Sequence, residues 1–219
     1  MIRIIKTGDG SHTLWVPELD EHYHSTFGAI QESRHVFIDA GLVKCQGKQK
    51  IAILEMGFGT GLNALLTALK MTKTNIYYQG VEAFPLKKEV LVRLNYPEFI
   101  QDSSAKEIFS RIHAARWGSE VPIKQHFHLT KIHGKIQEIK LPDNSYDLVY
   151  YDAFAPDVQP ELWTEEIFTK IFQAMKPGGI LVTYSAKGLV KQNLRKAGFT
   201  VKRLPGPPGK KHMLRAEKR

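Results

Sequence analysis

The chain has 219 residues, 42% hydrophobic and 24% charged, with a single cysteine and a formal net charge of +9. That length buries a full core in one domain, and the composition excludes disordered and fibrous classes. No apolar run approaches the roughly 18 residues of a membrane helix and the N-terminus lacks the apolar region of a secretion signal, so a cytoplasmic protein with no membrane partner is expected; Cys45 alone excludes an intrachain disulfide and a cysteine-based metal site.

In chain order, residues 2–16 read as two strands around an Asp-Gly turn, a hairpin signal. From Phe27 to Leu42, Ala29, Ile30, Val36, Phe37 and Ala40 recur at helical spacing, with Gly41 ending the helix. Strand and helix then alternate: strand 51–56, helix 61–71, strand 76–82, helix 86–95, helical stretches through 97–116, strand 126–132, strand 147–152, helix 160–175, strand 179–184 and helix 187–197. Such alternation predicts a mostly parallel α/β sheet with helices on both faces. Strands 199–204 and 211–216, around the turn "PGPPGK", predict an antiparallel hairpin on one edge.

Two strand ends carry chemistry. In "IAILEMGFGTGLN", Gly57, Gly59 and Gly61 follow a strand and precede a helix, a context in which missing Cβ atoms let a ligand approach the backbone. Leu62 stands where a dinucleotide fingerprint needs its third glycine, and no Gly-Lys-Ser/Thr follows for a triphosphate. Glu82 ends the next strand, where a carboxylate accepts both ribose hydroxyls. A glycine loop without a pyrophosphate requirement, together with a ribose acid, suits S-adenosylmethionine. Glu55 before the loop is placed to face that cofactor's amino group, and Asn63 closes the same segment. The second strand end is "DLVYYDAFAPDVQPELWT", where an apolar run stops on Asp152 at the carboxyl edge of a buried strand. The charge is also concentrated: Lys202, Arg203, Lys210, Lys211, Arg215, Lys218 and Arg219 face only Glu217 in the last stretch, which points to nucleic acid as a polyanionic partner. His22 with His24, and His126 with His128 on one strand face, lack a convincing metal spacing, so no metal is expected.

The segments "DAFAPDVQPELWT", "EMGFGTGLNAL", "ELDEHYHSTFGAIQESRHVFI" and "PGPPGKKHMLRA" together resemble the methyltransferase half of the MnmC family, over residues from about 8 to 216. The resemblance implies a class I, Rossmann-like methyltransferase fold with an N-terminal β-hairpin extension. The domain reading is an extension of hairpin and helix over 1–45 and a methyltransferase domain over 46–219, forming one structural unit. It implies methylation of the 5-aminomethyl(-2-thio)uridine amine at the tRNA wobble position, with the anticodon stem-loop as partner. It also implies a methyltransferase standing alone without the FAD-dependent oxidase half and acting after a separate FAD-dependent enzyme; a monomer is expected.

Carried residue by residue, the resemblance assigns Gly57, Gly59 and Gly61 to the cofactor loop, Glu82 to the ribose, and Tyr23, Ser25 and Glu32 to the methionine end. Asp152, the catalytic candidate, forms the reacting loop with Phe154 and Pro156. Phe154 and Trp163 flank that loop where a flipped-out uracil would stack, and Lys210, Lys211 and Arg215 are candidates for RNA phosphates. One departure concerns adenine: related enzymes carry Gly-Asp after strand 126–132, and this chain has Gly134-Lys135, so a backbone group is expected to substitute there. Rival readings are a small-molecule amine methyltransferase or aminopropyltransferase of the same fold, and a non-catalytic RNA-binding protein. The basic end counts against a polyamine acceptor, and the intact acids and glycines count against a dead pocket.

Overall fold

The structure, a computed structural model, describes residues 2–219. The chain opens with the expected hairpin, β1 (Arg3–Lys6) paired antiparallel with β2 (His12–Val16), and its turn is tied by the Asp9 carboxylate, which accepts from Thr7 and Ser11. A third strand, β3 (Glu21–His22), joins β2; at two residues it is too short to leave a periodic signal. The helix expected over 27–42 is broken into α1 (Ala29–Ser33), a π-helical turn at Arg34–Asp39 and a 3-10 turn at Leu42–Cys45. Of the positions the helical spacing picked out, Ala29, Ile30, Val36 and Phe37 are buried and Ala40 is half-buried, while Glu32, Ser33 and Ile38 are buried without having been picked out.

The main sheet has eight strands: β4 (Lys50–Met56), β5 (Asn75–Glu82), β6 (Glu120–Lys124), β7 (Phe127–His133), β8 (Tyr146–Tyr151), β9 (Met175–Thr183), β10 (Thr200–Pro205) and β11 (His212–Glu217). Their order is β10-β11-β9-β8-β4-β5-β7-β6, with β9, β8, β4, β5 and β7 mutually parallel. This is the mostly parallel sheet the alternation predicted and the Rossmann-like fold the resemblance implied, with the expected C-terminal hairpin on one edge. The opposite edge carries a second antiparallel pair, β6 with β7, that the sequence reading lacked. Pro122 suppressed the strand signal there, yet an edge strand tolerates proline because an outward N–H needs no partner. His126 therefore does not share a strand face with His128: it occupies the intervening turn at φ 66° and bonds Asn75 through Nδ1.

Helices α2 (Leu62–Lys70), α3 (Lys88–Leu91), α4 (Tyr96–Phe99) and α5 (Ala105–Ala114) lie toward one face, α6 (Glu165–Ala174) and α7 (Gly188–Lys196) toward the other. The pleat explains the split, since Ile51 and Ile53 join one buried cluster and Leu54 and Met56 the other. Every residue of β8 is buried, which is why its sequence reads as one apolar run without alternation. The helix expected over 160–175 starts later, after a 3-10 turn at Pro160–Leu162, where the Thr164 hydroxyl accepts from the Ile167 N–H. Leu14, Ala29, Phe37 and Cys45 share a cluster with Ile53 and Leu65, so residues before 46 are built into the same core as the sheet.

Candidate active site

The carboxyl ends of β4, β5 and β8 open into one cleft of about 1260 Å³. At its floor the chain turns sharply after Met56, and the N–H groups of Gly57 and Phe58 both donate to the Val81 carbonyl at 3.1 and 3.0 Å. Gly57 has φ 84°, and a Cβ there would collide with the Asp152 carbonyl oxygen, so the crossing of the two strand ends demands glycine. Gly59 has φ 50° and lies where a Cβ would crowd the Tyr23 ring at 3.1 Å. Its N–H donates to Glu82 Oε2 at 2.9 Å, while Glu82 Oε1 accepts from the Phe84 N–H at 2.9 Å. Each Glu82 oxygen thus keeps lone-pair capacity toward the cleft it lines. Gly61 differs from its neighbours in the motif: at φ 71° it precedes α2 and packs against His113, outside the cleft wall.

Asp152 follows β8 and lines the cleft, its N–H bonded to the Met56 carbonyl at 2.9 Å. Asn63, on the first turn of α2, donates through Nδ2 to Asp152 Oδ2 at 2.9 Å and to Glu55 Oε1 at 2.9 Å. Burial and the nearby Glu32 carboxylate push Asp152 from 3.8 up to about 7, against the opposing effects of the Asn63 bond and the Lys210 cation. Glu55 departs from its expected place. It is 0% exposed and lies beneath α2 rather than on the cleft wall, because the pleat turns it away from the open side. Burial drives its carboxyl well above the ordinary range, and the charges of Asp152 and Glu82 add to this against the Asn63 hydrogen bond and the nearby Tyr78 hydroxyl.

The opposite wall comes from the N-terminal segment and the β10–β11 turn. Glu32, buried on α1, accepts from the Ser25 N–H at 2.8 Å and from Lys210 Nζ at 2.7 Å. Lys210 also stands 3.9 Å over the Tyr184 ring, whose hydroxyl donates to the Ala153 carbonyl at 2.9 Å beside Asp152. Tyr23 meets Phe154 edge-on at 5.0 Å between ring centroids, and both line the cleft with Ser25. Lys210 is therefore a wall residue, not a surface cation. Arg215 is engaged by Glu217 at 3.4 Å, Lys218 is absorbed by the carbonyls of Phe172 and Met175, and Arg203, Lys211 and Arg219 stay exposed.

Trp163 and Pro156 are also corrected. Trp163 is 1% exposed in the core against Tyr151 and Phe168, and its Nε1 donates to the Phe154 carbonyl at 2.8 Å; it anchors the loop and presents no face to the cleft. Pro156 is buried too and lies off the wall. Gly134 does line the cleft, but its N–H is spent on the Glu82 carbonyl at 2.9 Å, so it offers no free donor. The sequence reading passed over Phe27, Phe84 and Tyr184. Phe27 and Phe84 are 60% and 68% exposed at the mouth, and Tyr184 follows β9 at the same carboxyl edge as Asp152, the one signal that would have singled it out. Among the described residues no helix is long and apolar enough to cross a membrane, and no group of three or more His, Cys, Asp or Glu side chains is gathered as a metal-holding cluster.

A family model described as S-adenosyl-L-methionine-dependent methyltransferase matches residues 103–219. The chain is 30% identical, over 92% of its length, to the tRNA 5-methylaminomethyl-2-thiouridine biosynthesis bifunctional protein MnmC of Actinobacillus pleuropneumoniae, covering 33% of that protein. It is 32% identical, over 90% of its length, to the protein of the same description from Aromatoleum aromaticum, covering 32% of it. The chain thus spans about a third of the length of these curated relatives. Among solved structures, MnmC2 from Aquifex aeolicus superimposes with a TM-score of 0.83 at 28% identity, covering 100% of this chain and 71% of that one. Spermidine synthase from Thermotoga maritima, with a TM-score of 0.58 at 14% identity over 98% of this chain and 72% of that one, shares the fold alone.

Proposed function

The chain belongs to the S-adenosyl-L-methionine-dependent methyltransferase family, and from that membership we propose that it methylates the primary amine of 5-aminomethyl(-2-thio)uridine at the wobble position of tRNA. The names and likeness of the MnmC relatives support this acceptor. So does the chemistry of Asp152, the observation that carries the reading. The cradle fits the cofactor: Glu82, held by two backbone N–H groups with lone pairs still open, would take the ribose hydroxyls, and Gly57 and Gly59 leave the floor bare for close approach. Tyr23 and Ser25 would close over the methionine end, and Lys135, Ile136 and Gln137 would flank the adenine, since Gly134 has no donor to spare. When bound there, S-adenosylmethionine supplies an electrophilic methyl group on a sulfonium.

The protein's task is then to present a neutral amine. An alkylamine of pKa about 10.4 is almost wholly ammonium at neutral pH and has no lone pair in that form. Asp152, poised at about 7, accepts that proton where an ordinary aspartate would not, and the carbonyl oxygen of the resulting neutral carboxyl then accepts from an amine N–H and holds the nitrogen in line. Phe27, Phe84 and Phe154 at the mouth offer faces for an unstacked base, and the exposed Arg203, Lys211 and Arg219 suit the phosphates on either side. A separate FAD-dependent step that uncovers the amine would precede this one.

The deciding experiment is incubation with labelled S-adenosylmethionine and tRNA carrying the 5-aminomethyl group, followed by digestion and nucleoside analysis. Label on the aminomethyl nitrogen is expected. Label on the ring or ribose, or faster transfer to a free polyamine than to tRNA, would overturn the acceptor.

A further inference from the structure

Asn63 sits between two carboxyl groups with both hydrogens of its amide nitrogen committed, one to Asp152 Oδ2 and one to Glu55 Oε1, each at 2.9 Å. Its Oδ1 is buried without a partner, and so is Glu55 Oε2. An amide of this kind has two orientations related by a half-turn about its last bond, and only one turns nitrogen toward Asp152. The flipped form would set a carbonyl oxygen against both acids at once. Glu55 is the second acceptor that makes the flip costly, yet it is 0% exposed and lies off the cleft wall.

We propose that Glu55 is a positioning residue, one that locks the Asn63 amide and through it the Asp152 carboxyl, and that it is not a ligand of the cofactor. The proposal rests on the amine-methylation reading only for the reaction that Asp152 serves. Glu55 does this as a neutral acid. Among the described residues no cation pairs with it, and as an anion it would stand buried in the field of Asp152 and Glu82. The proton belongs on Oε2, the oxygen without a partner, leaving Oε1 to accept from Asn63. The titratable groups that act on Asp152 are Glu55 from β4, Tyr78 from β5, Tyr96 from α4, Glu32 from α1, Lys210 from the β10–β11 turn and Tyr184 after β9. Of these, Glu55 alone reaches Asp152 through a shared hydrogen-bond donor.

The test compares Glu55→Gln with Glu55→Leu in the full chain. Glutamine keeps an oxygen toward Asn63 and a donor in the place of the neutral acid's hydroxyl, so turnover within about threefold of wild type and an unmoved pH–rate midpoint are expected. Leucine frees the amide to flip, and kcat should fall about tenfold or more while the Kd for S-adenosylmethionine stays within about twofold. Should the leucine variant fail to fold, Asn63→Leu breaks the lock from the other side, with the same loss of kcat and a pH–rate midpoint moved upward. Glutamine as damaging as leucine, or weakening S-adenosylmethionine binding tenfold, would overturn the proposal and return Glu55 to a charged role. An infrared readout needs no acceptor: the carbonyl band of a protonated carboxylic acid should be present at pH 8 in wild type and Asp152→Asn and lost in Glu55→Gln. A missing band in wild type refutes the neutral acid. A band that is present while wild type leaves tRNA unmethylated upholds the lock and refutes the acceptor instead.

Discussion

Replacing Asp152 with Asn should make the protein more stable and inactive together, and the stability gain should depend on pH in a stated direction. Burial, with Glu32 adding its charge, holds this carboxyl at about 7 against 3.8 for an exposed one. Below 3.8 both the folded and unfolded chains carry the proton. Between 3.8 and about 7 the unfolded chain alone loses it, and above 7 the folded chain bears the full cost of a buried charge. At about 1.36 kcal/mol per pH unit, that cost approaches about 4 kcal/mol at pH 8. Asparagine is isosteric, retains an oxygen for the Asn63 donor at this position, and never ionises. The stability difference between Asp152→Asn and wild type should therefore grow by about 2–3 kcal/mol from pH 5 to pH 8, or about 5–10 °C in Tm for a domain of this size. Urea and thermal unfolding across that range read it directly, and single-turnover methylation should fall about a hundredfold or more in the same variant. A stability difference flat in pH, or a variant less stable than wild type at pH 8, would refute the account of a strained, buried carboxyl.

Three further outcomes follow from particular contacts. Glu82→Ala should weaken S-adenosylmethionine binding at least about tenfold by calorimetry, since ribose hydrogen bonds to a charged acceptor are worth about 1.5–3 kcal/mol each, and it should loosen the glycine loop by freeing the Gly59 N–H. Lys210→Met strands the Glu32 carboxylate, whose side chain is 8% exposed; the cost in denaturant unfolding should stay below the roughly 3–5 kcal/mol of a fully buried pair. Loss of the cation should also raise the Asp152 midpoint in the pH–rate profile, whereas the salt slope of RNA binding should respond to Lys211 and not to Lys210. Asp147→Asn, near the amino end of the central strand β8 and opposite the cleft, removes the charge that Lys48 at 2.8 Å and Lys176 at 2.7 Å pair with and leaves one carbonyl oxygen in place of the two that serve them and the Ala52 N–H at 3.0 Å. It should lower stability by about 1–2 kcal/mol, because both lysines left behind are more than a third exposed, without touching cofactor affinity. Burial works to raise this carboxyl and its three donors outweigh it, so its contribution is present above the ordinary carboxylate pKa of 3.8 and is lost as pH falls through the lowered native value.

The parallel sheet was legible because its strands are buried on both faces and its connections carry helical spacing, and "YYDAFAP" and "GFGTG" marked strand ends that converge on the cleft. What the sequence concealed depends on the pleat and on long-range closure. The alternation that puts Met56 at the cleft turns Glu55 beneath α2, a one-residue difference that composition at a strand end does not reveal. Lys210 looked like one of seven similar cations, and only the pairing of β10 with β11 brings it to Glu32, 178 positions away. Trp163 illustrates the reverse error: an aromatic at a helix start beside a reactive loop has the signature of a stacking face, yet its indole supports the loop from within. Short or interrupted elements, such as β3 and the π-helical turn at Arg34–Asp39, fall below the window in which any period is measurable.

The same burial that costs stability sets the energetics of the proposed reaction. Transfer of a proton from an ammonium of pKa about 10.4 to an aspartate at 3.8 is uphill by about 9 kcal/mol, whereas to Asp152 at about 7 it is uphill by about 5. The remainder must come from the amine itself, and the cleft works on it in the right direction. Desolvation disfavours the ammonium, and Lys210, fixed by Glu32 and the Tyr184 ring within the same wall, repels it. Glu32 in turn opposes Lys210 on Asp152, raising that carboxyl where the lysine lowers it. The ion pair thus does two things that a lone charge does not do: its cation end disfavours a charged acceptor, and its anion end keeps Asp152 basic enough to take the proton. A hydrophobic replacement of both partners would leave the fold intact by the same arithmetic that makes buried pairs weak stabilisers, but it would surrender this opposition, and the loss would be read in the pH–rate profile rather than in the unfolding curve.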